Sequence, residues 1–174
     1  KDYGIPQNRE RVFIVGFRDE KHHFKFPKTI PLKYKLKDML EKNVSEKYHI
    51  TNMGLDNFLR VNESNYSVKG CAIRGRKRNG ATKYSGELEV RDDEFANTIT
   101  MVQQTSMLKI DTDKTLIRRL TPLECLRLQG FPDSFVEKCK EDGLSDTQLY
   151  KQAGNSITVD VMSYLIKEIL INES

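Results

Sequence analysis

Tryptophan is absent from the 174 residues, cysteine occurs three times and proline five. An odd number of cysteines with no paired spacing excludes the disulfide framework that staples small secreted domains. Long apolar runs are also missing. The longest, Val12 to Phe17, is interrupted by Gly16 and falls far short of the roughly 18 residues that cross a bilayer, so no membrane anchor is expected. No secretory signal pattern opens the chain, and a reducing, intracellular setting is the expectation, cytoplasmic if the source is bacterial or phage. His22 and His23 are adjacent but lack a second ligand pair at metal spacing, so a solvated pair is expected and no metal site.

What is present is one domain's worth of material with 37% hydrophobic and 31% charged residues, which implies a modest core under a large solvated surface. The first residue is lysine rather than methionine, so the chain is expected to be a piece of something longer. Its net charge of +4 is unevenly placed. Between residues 69 and 83, Lys69, Arg74, Arg76, Lys77, Arg78 and Lys83 occur without an acid, punctuated by Gly70, Gly75 and Gly80. This reads as a basic loop able to approach phosphate, or as a solvated loop with accidental charge. The stretch from Asp133 to Asp146 is acidic.

Residues 11–17 (RVFIVGF) have the β-branched and aromatic make-up of a buried strand. Residues 19–31 read as linker, with helical hints near Leu36, Met39 and Leu40 and again near Leu55, Phe58 and Leu59. From Tyr66 to Leu108 the pattern favours several short strands and loops, with Thr98 to Val102 the best strand. Leu120 to Gly130 carries the clearest local signal: Thr121 as N-cap, Pro122 at the first helical position, Glu124 closing a capping box and Gly130 just past the end. Cys125 falls on the apolar face of that helix and is expected in the core. Residues 158–171 have the spacing of a helix that packs one face.

Two places invite chemistry. Gln7, Arg9 and Arg11 alternate before the expected strand, so an extended backbone projects all three to one side. Arginine stays protonated and offers a planar fork of donors, suited to a carbonyl or phosphate oxygen; surface arginines at a strand entrance are the alternative. The second place, Gln152-Ala153-Gly154-Asn155-Ser156, reads as a turn before the last helix whose donors suit a carboxylate, or simply cap the helix.

Three segments, DYGIPQNRERVFIVGFR (2–18), RRLTPLECLRLQGFPDSF (118–135) and QAGNSITVDVM (152–162), resemble in order the last three sequence motifs of DNA cytosine-5 methyltransferases. The stretch between the first two is where that family keeps its variable target recognition domain, and Asn97-Thr98-Ile99-Thr100 resembles the Thr-aliphatic signature near its end. The resemblance implies a mixed α/β chain in three parts. Residues 1–27 would end a catalytic domain, 28–149 would form a small, irregular, strand-rich recognition domain with its scaffold helix, and 150–174 would return to the catalytic domain.

The same resemblance implies roles. Family members flip the target cytosine out of duplex DNA, add a cysteine thiolate to C6 and transfer methyl from S-adenosylmethionine to C5. Arg11 resembles the residue that contacts the cytosine O2, with Arg9 and Gln7 as its ordering neighbours. Asn155 and Ser156 resemble residues of the cofactor pocket. Arg119, Glu124, Arg127 and Gln129 resemble the motif that organises the recognition domain. Arg74, Arg76 and Arg78 are the candidates for DNA contact, with Thr98 and Ile99 near the recognition surface. The family's nucleophile sits in a Pro-Cys dipeptide, yet none of Cys71, Cys125 and Cys139 follows a proline, and no Gly-rich cofactor loop follows a first strand. The chain is therefore expected to be a C-terminal part, inactive alone, binding S-adenosylmethionine weakly or not at all. Its expected partners are double-stranded DNA and the missing N-terminal half, or a second copy covering its apolar faces. A naturally split subunit and a non-catalytic DNA-binding module are the competing readings, and the compact recognition region suggests a restriction-modification or phage setting.

Overall fold

The computed structural model describes residues 2–18, 21, 23–50, 66–76, 85–102, 105–112 and 115–171. Four strands, β1 (Ser67–Arg76), β2 (Ser85–Val90), β3 (Met107–Asp111) and β4 (Thr115–Arg119), form one sheet in the order β2-β1-β3-β4. Every pairing is antiparallel. Four helices follow: α1 (Pro122–Arg127), α2 (Asp133–Glu141), α3 (Asp146–Asn155) and α4 (Val159–Ile171). Short 3-10 turns at Leu36–Met39 and Glu46–Tyr48 precede the sheet. The architecture is thus mixed α/β, as expected.

Alternation decides which side of the sheet is buried, because successive side chains leave a strand on opposite faces. Val68, Leu108 and Ile110 enter the main core, while Cys71, Met107 and Ile117 form a smaller cluster on the other face with Ile50 and Ile73. The main core draws Ile5, Leu36, Ile99, Leu126, Leu149 and Ala153, so residues from all three expected segments share one apolar cluster. Gly70 is needed within β1 because a Cβ there would stand 2.4 Å from the Phe95 carbonyl oxygen.

The capping signal at Thr121 is realised. Its hydroxyl accepts from the Glu124 N–H at 3.2 Å, the Glu124 carboxylate accepts from the Thr121 N–H at 2.8 Å, and Gly130 turns the chain at φ +84°. Cys125 is fully buried.

Four local expectations are corrected. Residues 11–17 form no strand: Val12 and Ile14 are 88% and 91% exposed, because no described segment offers the hydrogen-bonding neighbour that a strand requires. Thr98 to Val102 is also unpaired as a strand: the Thr98 hydroxyl and the Ile99 carbonyl bond to Asn8 and Arg9, while Thr100 and Val102 bond to each other and to Thr105. The supposed basic loop is strand as far as Arg76, with Gly70 and Gly75 inside it, and residues 77–84, including Arg78, lie outside the described residues. Gln152 to Asn155 are the last turn of α3 and Ser156 is its C-cap, so they close one helix instead of opening the next. The helical hints at Leu55, Phe58 and Leu59, and His22, also lie outside the described residues.

Candidate functional site

The N-terminal segment is stitched to residues 95–99. Ala96 N–H donates to the Pro6 carbonyl at 2.9 Å, Asn8 N–H to the Ala96 carbonyl at 3.0 Å, and the Thr98 hydroxyl to the Asn8 carbonyl at 2.6 Å. Gln7, Arg9 and Arg11 all line one cleft, a cavity of about 390 Å³, together with the intervening Asn8 and Glu10 and with Asp2. The rest of its lining includes the apolar Phe13, Phe26, Ile157 and Val161, with Thr158; Ile157, Thr158 and Val161 come from the first turn of α4 and the residues just before it.

The three polar residues differ in how firmly they are held. Gln7 is buried, and its amide donates to the Leu128 carbonyl at the end of α1 at 2.8 Å. Arg9 donates to the carbonyls of Ile99 at 2.7 Å, Gly154 at 3.1 Å and Ser156 at 2.9 Å, so one planar fork joins three segments. Burial, and then the neighbouring Arg11 charge, lower the Arg9 guanidinium from its ordinary value. Arg11 is exposed and donates to the adjacent Glu10 carbonyl at 2.6 Å. The cleft therefore holds one cation spent on structure and one carried at its rim.

Gln129 locks the far side. Its amide donates to the Ala153 carbonyl at 2.9 Å, its oxygen accepts from the Thr158 hydroxyl at 3.1 Å, and its backbone carbonyl accepts from the Val159 N–H at 2.9 Å. These bonds fix the end of α3 against the start of α4. Beneath them Arg118 and Glu124 form a buried ion pair. Arg119 donates to the Lys47 carbonyl, and Arg127 pairs with Asp133.

Of the residues expected at a cofactor, Ser156 turns its hydroxyl to the Ala153 carbonyl at 2.9 Å, and Asn155 is exposed. Ile157 and Thr158 line the cleft in their stead. Ile99 is fully buried, so its side chain belongs to the core and not to a DNA-facing surface; the Thr98 hydroxyl likewise points inward to Asn8. Arg74 is exposed on β1 and pairs with Glu89 on β2 at 3.0 Å. The side chain of Arg76 lies outside the description. Sequence reasoning missed Phe26 and Ile157, which carry no local motif, and Arg118, whose only signal is its place beside Arg119 just ahead of a capping box.

Burial pushes the Cys71 thiol up to about 12 and raises that of Cys125 well above its ordinary value. Neither supplies a thiolate at neutral pH. Among the described residues no cluster of His, Cys, Asp and Glu could hold a metal ion, and no helix is long and apolar enough to cross a membrane.

Residues 1–171 match the family described as C-5 cytosine-specific DNA methylase. The chain is 35% identical over 176 aligned residues to the type II methyltransferase M.SsoII of Shigella sonnei, covering 98% of this chain and 42% of that protein. It is 38% identical over 174 residues to the type II methyltransferase M.DsaV of Dactylococcopsis salina, covering 97% and 45%. A methyltransferase structure from Entamoeba histolytica superimposes with a TM-score of 0.50 at 18% identity, covering 99% of this chain and 51% of that one, which speaks to fold alone. The chain thus spans less than half the length of the two curated relatives. By the match over nearly all its residues, this chain belongs to the C-5 cytosine-specific DNA methylase family.

Proposed function

We propose that this chain is the C-terminal, target-recognising part of an enzyme that transfers methyl from S-adenosylmethionine to C5 of a cytosine flipped out of duplex DNA. The observation that carries this reading is the pairing of Arg9 and Arg11. Arg9 is clamped by three carbonyls, and so holds in place the segment from which Arg11 projects into the cleft. A fixed cation beside the cytosine O2 stabilises the negative charge that develops there as a nucleophile adds to the ring. Phe13, Phe26 and Ile157 line the same cleft, and Arg11 stays accessible at its rim, where a flipped base can reach it.

The buried thiols of Cys71 and Cys125 support a nucleophile carried by another part of the enzyme. Fit to the cofactor is partial. Asn155 is exposed where α3 ends, next to the Ser156 carbonyl that Arg9 holds, so it can meet a polar edge of S-adenosylmethionine. The Ser156 hydroxyl is spent on Ala153 as a donor but keeps accepting capacity. When bound, the cofactor supplies an electrophilic methyl group. These residues position one edge of it and nothing more.

Val12 and Ile14 support the incomplete state of the chain: an apolar, β-branched pair laid bare on one side, with Phe13 and Val15 half-buried on the other, is a strand awaiting a sheet. On the family membership we assign residues 1–27 and 150–174 to the catalytic domain and residues 28–149, with the sheet, to DNA recognition, with Arg74, Arg76 and Arg78 as the candidates for DNA contact. The type II names of the relatives favour a restriction-modification setting.

Hydrogen exchange tests this reading. Amides of residues 12–15 should exchange rapidly in the chain alone and become protected when the N-terminal half is added as a separate polypeptide. Protection already present in the chain alone, growing with its concentration, would indicate self-association instead.

A further inference from the structure

From Lys21 to Lys37 the chain carries six lysines and no Asp or Glu, a charge that exceeds the +4 of the whole chain. Phe24, Phe26 and Tyr34 are interleaved with them, and Phe26 and Tyr34 are 53% and 41% exposed. The described part of this segment is tied beside the cleft. Ile30 N–H donates to the Asp2 carbonyl at 2.9 Å, Lys33 N–H to the Gly4 carbonyl at 3.0 Å and the Tyr3 hydroxyl to the Pro27 carbonyl at 3.2 Å, while Phe26 lines the cleft itself.

Elsewhere in the described residues, six cations are held by carboxylates: Lys47, Arg74, Arg91, Lys109, Arg118 and Arg127. Lys25, Lys28, Lys35 and Lys37 are exposed and make no ion pair with any described residue. The acid that ends the run, Asp38, accepts from the Lys35 backbone N–H at 2.8 Å and is occupied in closing the first 3-10 turn. Unpaired lysines fixed next to a cleft repel one another unless a polyanion neutralises them.

We propose that Lys25, Lys28, Lys35 and Lys37 form a phosphate-contacting surface that lies along the backbone of duplex DNA beside the cleft, separate from the recognition sheet. The inference rests on the proposed function, because it takes DNA to be the polyanion presented there. Lysine acts as a point charge, so this surface sets register and affinity without reading sequence. Phe26 lines the cleft with Phe24 edge-on against it at 4.9 Å between ring centroids, and the Lys33 ammonium lies over the Tyr34 ring.

The test compares two fourfold variants of the full chain, assembled with its N-terminal half. One carries Lys25→Gln, Lys28→Gln, Lys35→Gln and Lys37→Gln. The charge-matched control carries Lys138→Gln, Lys140→Gln, Lys151→Gln and Lys167→Gln on α2, α3 and α4. Circular dichroism and thermal melting establish that both are folded. Affinity for target and non-target duplexes is measured from 50 to 300 mM salt (roughly the range over which counterion release is resolved). The first variant should lose affinity about tenfold or more on both duplexes, and its salt slope should fall by about two to three, while the control keeps its slope. Equal losses in both variants, or no loss in the first, would overturn the inference and leave the proposed function standing. An unmodified protein that fails to bind duplex DNA at all would overturn both.

Discussion

Arg118 and Glu124 meet in the core as a two-pronged ion pair, at 2.7 and 2.8 Å, with 3% and 0% of their side chains exposed. The carboxylate is saturated, because it also accepts from the backbone N–H groups of Thr121 at 2.8 Å and Glu41 at 2.9 Å. One charge therefore caps α1, holds β4 and anchors the segment after the first 3-10 turn. Removing one partner leaves the other buried and uncompensated, which costs about 3–5 kcal/mol.

Glu124→Ala should accordingly lower the unfolding free energy by about 3–5 kcal/mol, read from urea denaturation. The double variant Arg118→Met with Glu124→Leu should cost clearly less than Glu124→Ala alone, since it leaves no unpaired charge. Equal losses would mean that the capping bonds, not the ion pair, carry the energy.

Gly154 lets α3 lie against residues 100–101, where a Cβ would stand 2.5 Å from the Met101 nitrogen and 2.6 Å from the Thr100 carbonyl carbon. Gly154→Ala therefore drives backbone against backbone, although alanine is the better helix former by about 1 kcal/mol. Thermal melting should show a net destabilisation, of about 1–3 kcal/mol as for an overpacked core. A stabilised variant would contradict the close approach.

Arg9 and Arg11 should separate cleanly. Arg9→Ala removes three carbonyl contacts and should cost about 2 kcal/mol of stability, and Arg9→Lys should not restore it, because a point charge cannot span the three acceptors. Arg11→Ala should leave the melting temperature in place and lower kcat of the assembled enzyme by about 100-fold.

The thiols offer a chemical check. With burial holding the Cys71 thiol up to about 12 and that of Cys125 well above its ordinary value, a thiol-reactive reagent at pH 7.5 should modify neither in the folded chain, as peptide mass spectrometry would report. Cys139, on α2 and only half-buried, should be the first modified. Fast labelling of Cys71 would reopen the question of where the nucleophile resides.

Features set by neighbouring residues were legible in the sequence. Thr121, Pro122, Glu124 and Gly130 define α1 because capping is a local exchange of hydrogen bonds. Features that need a distant partner were not. The make-up of Val12 to Val15 says that the run wants a sheet, but cannot say that the sheet is absent from the described residues. Gly70 and Gly75 read as loop punctuation, whereas Gly70 is in β1 to admit the Phe95 carbonyl. Gly154 read as a break before the last helix for the same reason, its true neighbour being a backbone more than fifty residues earlier. At the site, Gln7, Arg9 and Arg11 share one cleft, but so do Asn8 and Glu10 between them, so alternation does not single them out, and only the fold separates the clamped arginine from the exposed one.

The most direct measurement is transfer of labelled methyl from S-adenosylmethionine to C5 of cytosine in duplex DNA, by this chain alone and after addition of the N-terminal half as a separate polypeptide. The account predicts no transfer by the chain alone, transfer by the mixture, and its loss in the mixture when Arg11 is replaced by alanine. Transfer by the chain alone would mean that one of its own cysteines is the nucleophile. Sequence-specific DNA binding with no transfer in the mixture would make this a recognition module that has no catalytic partner.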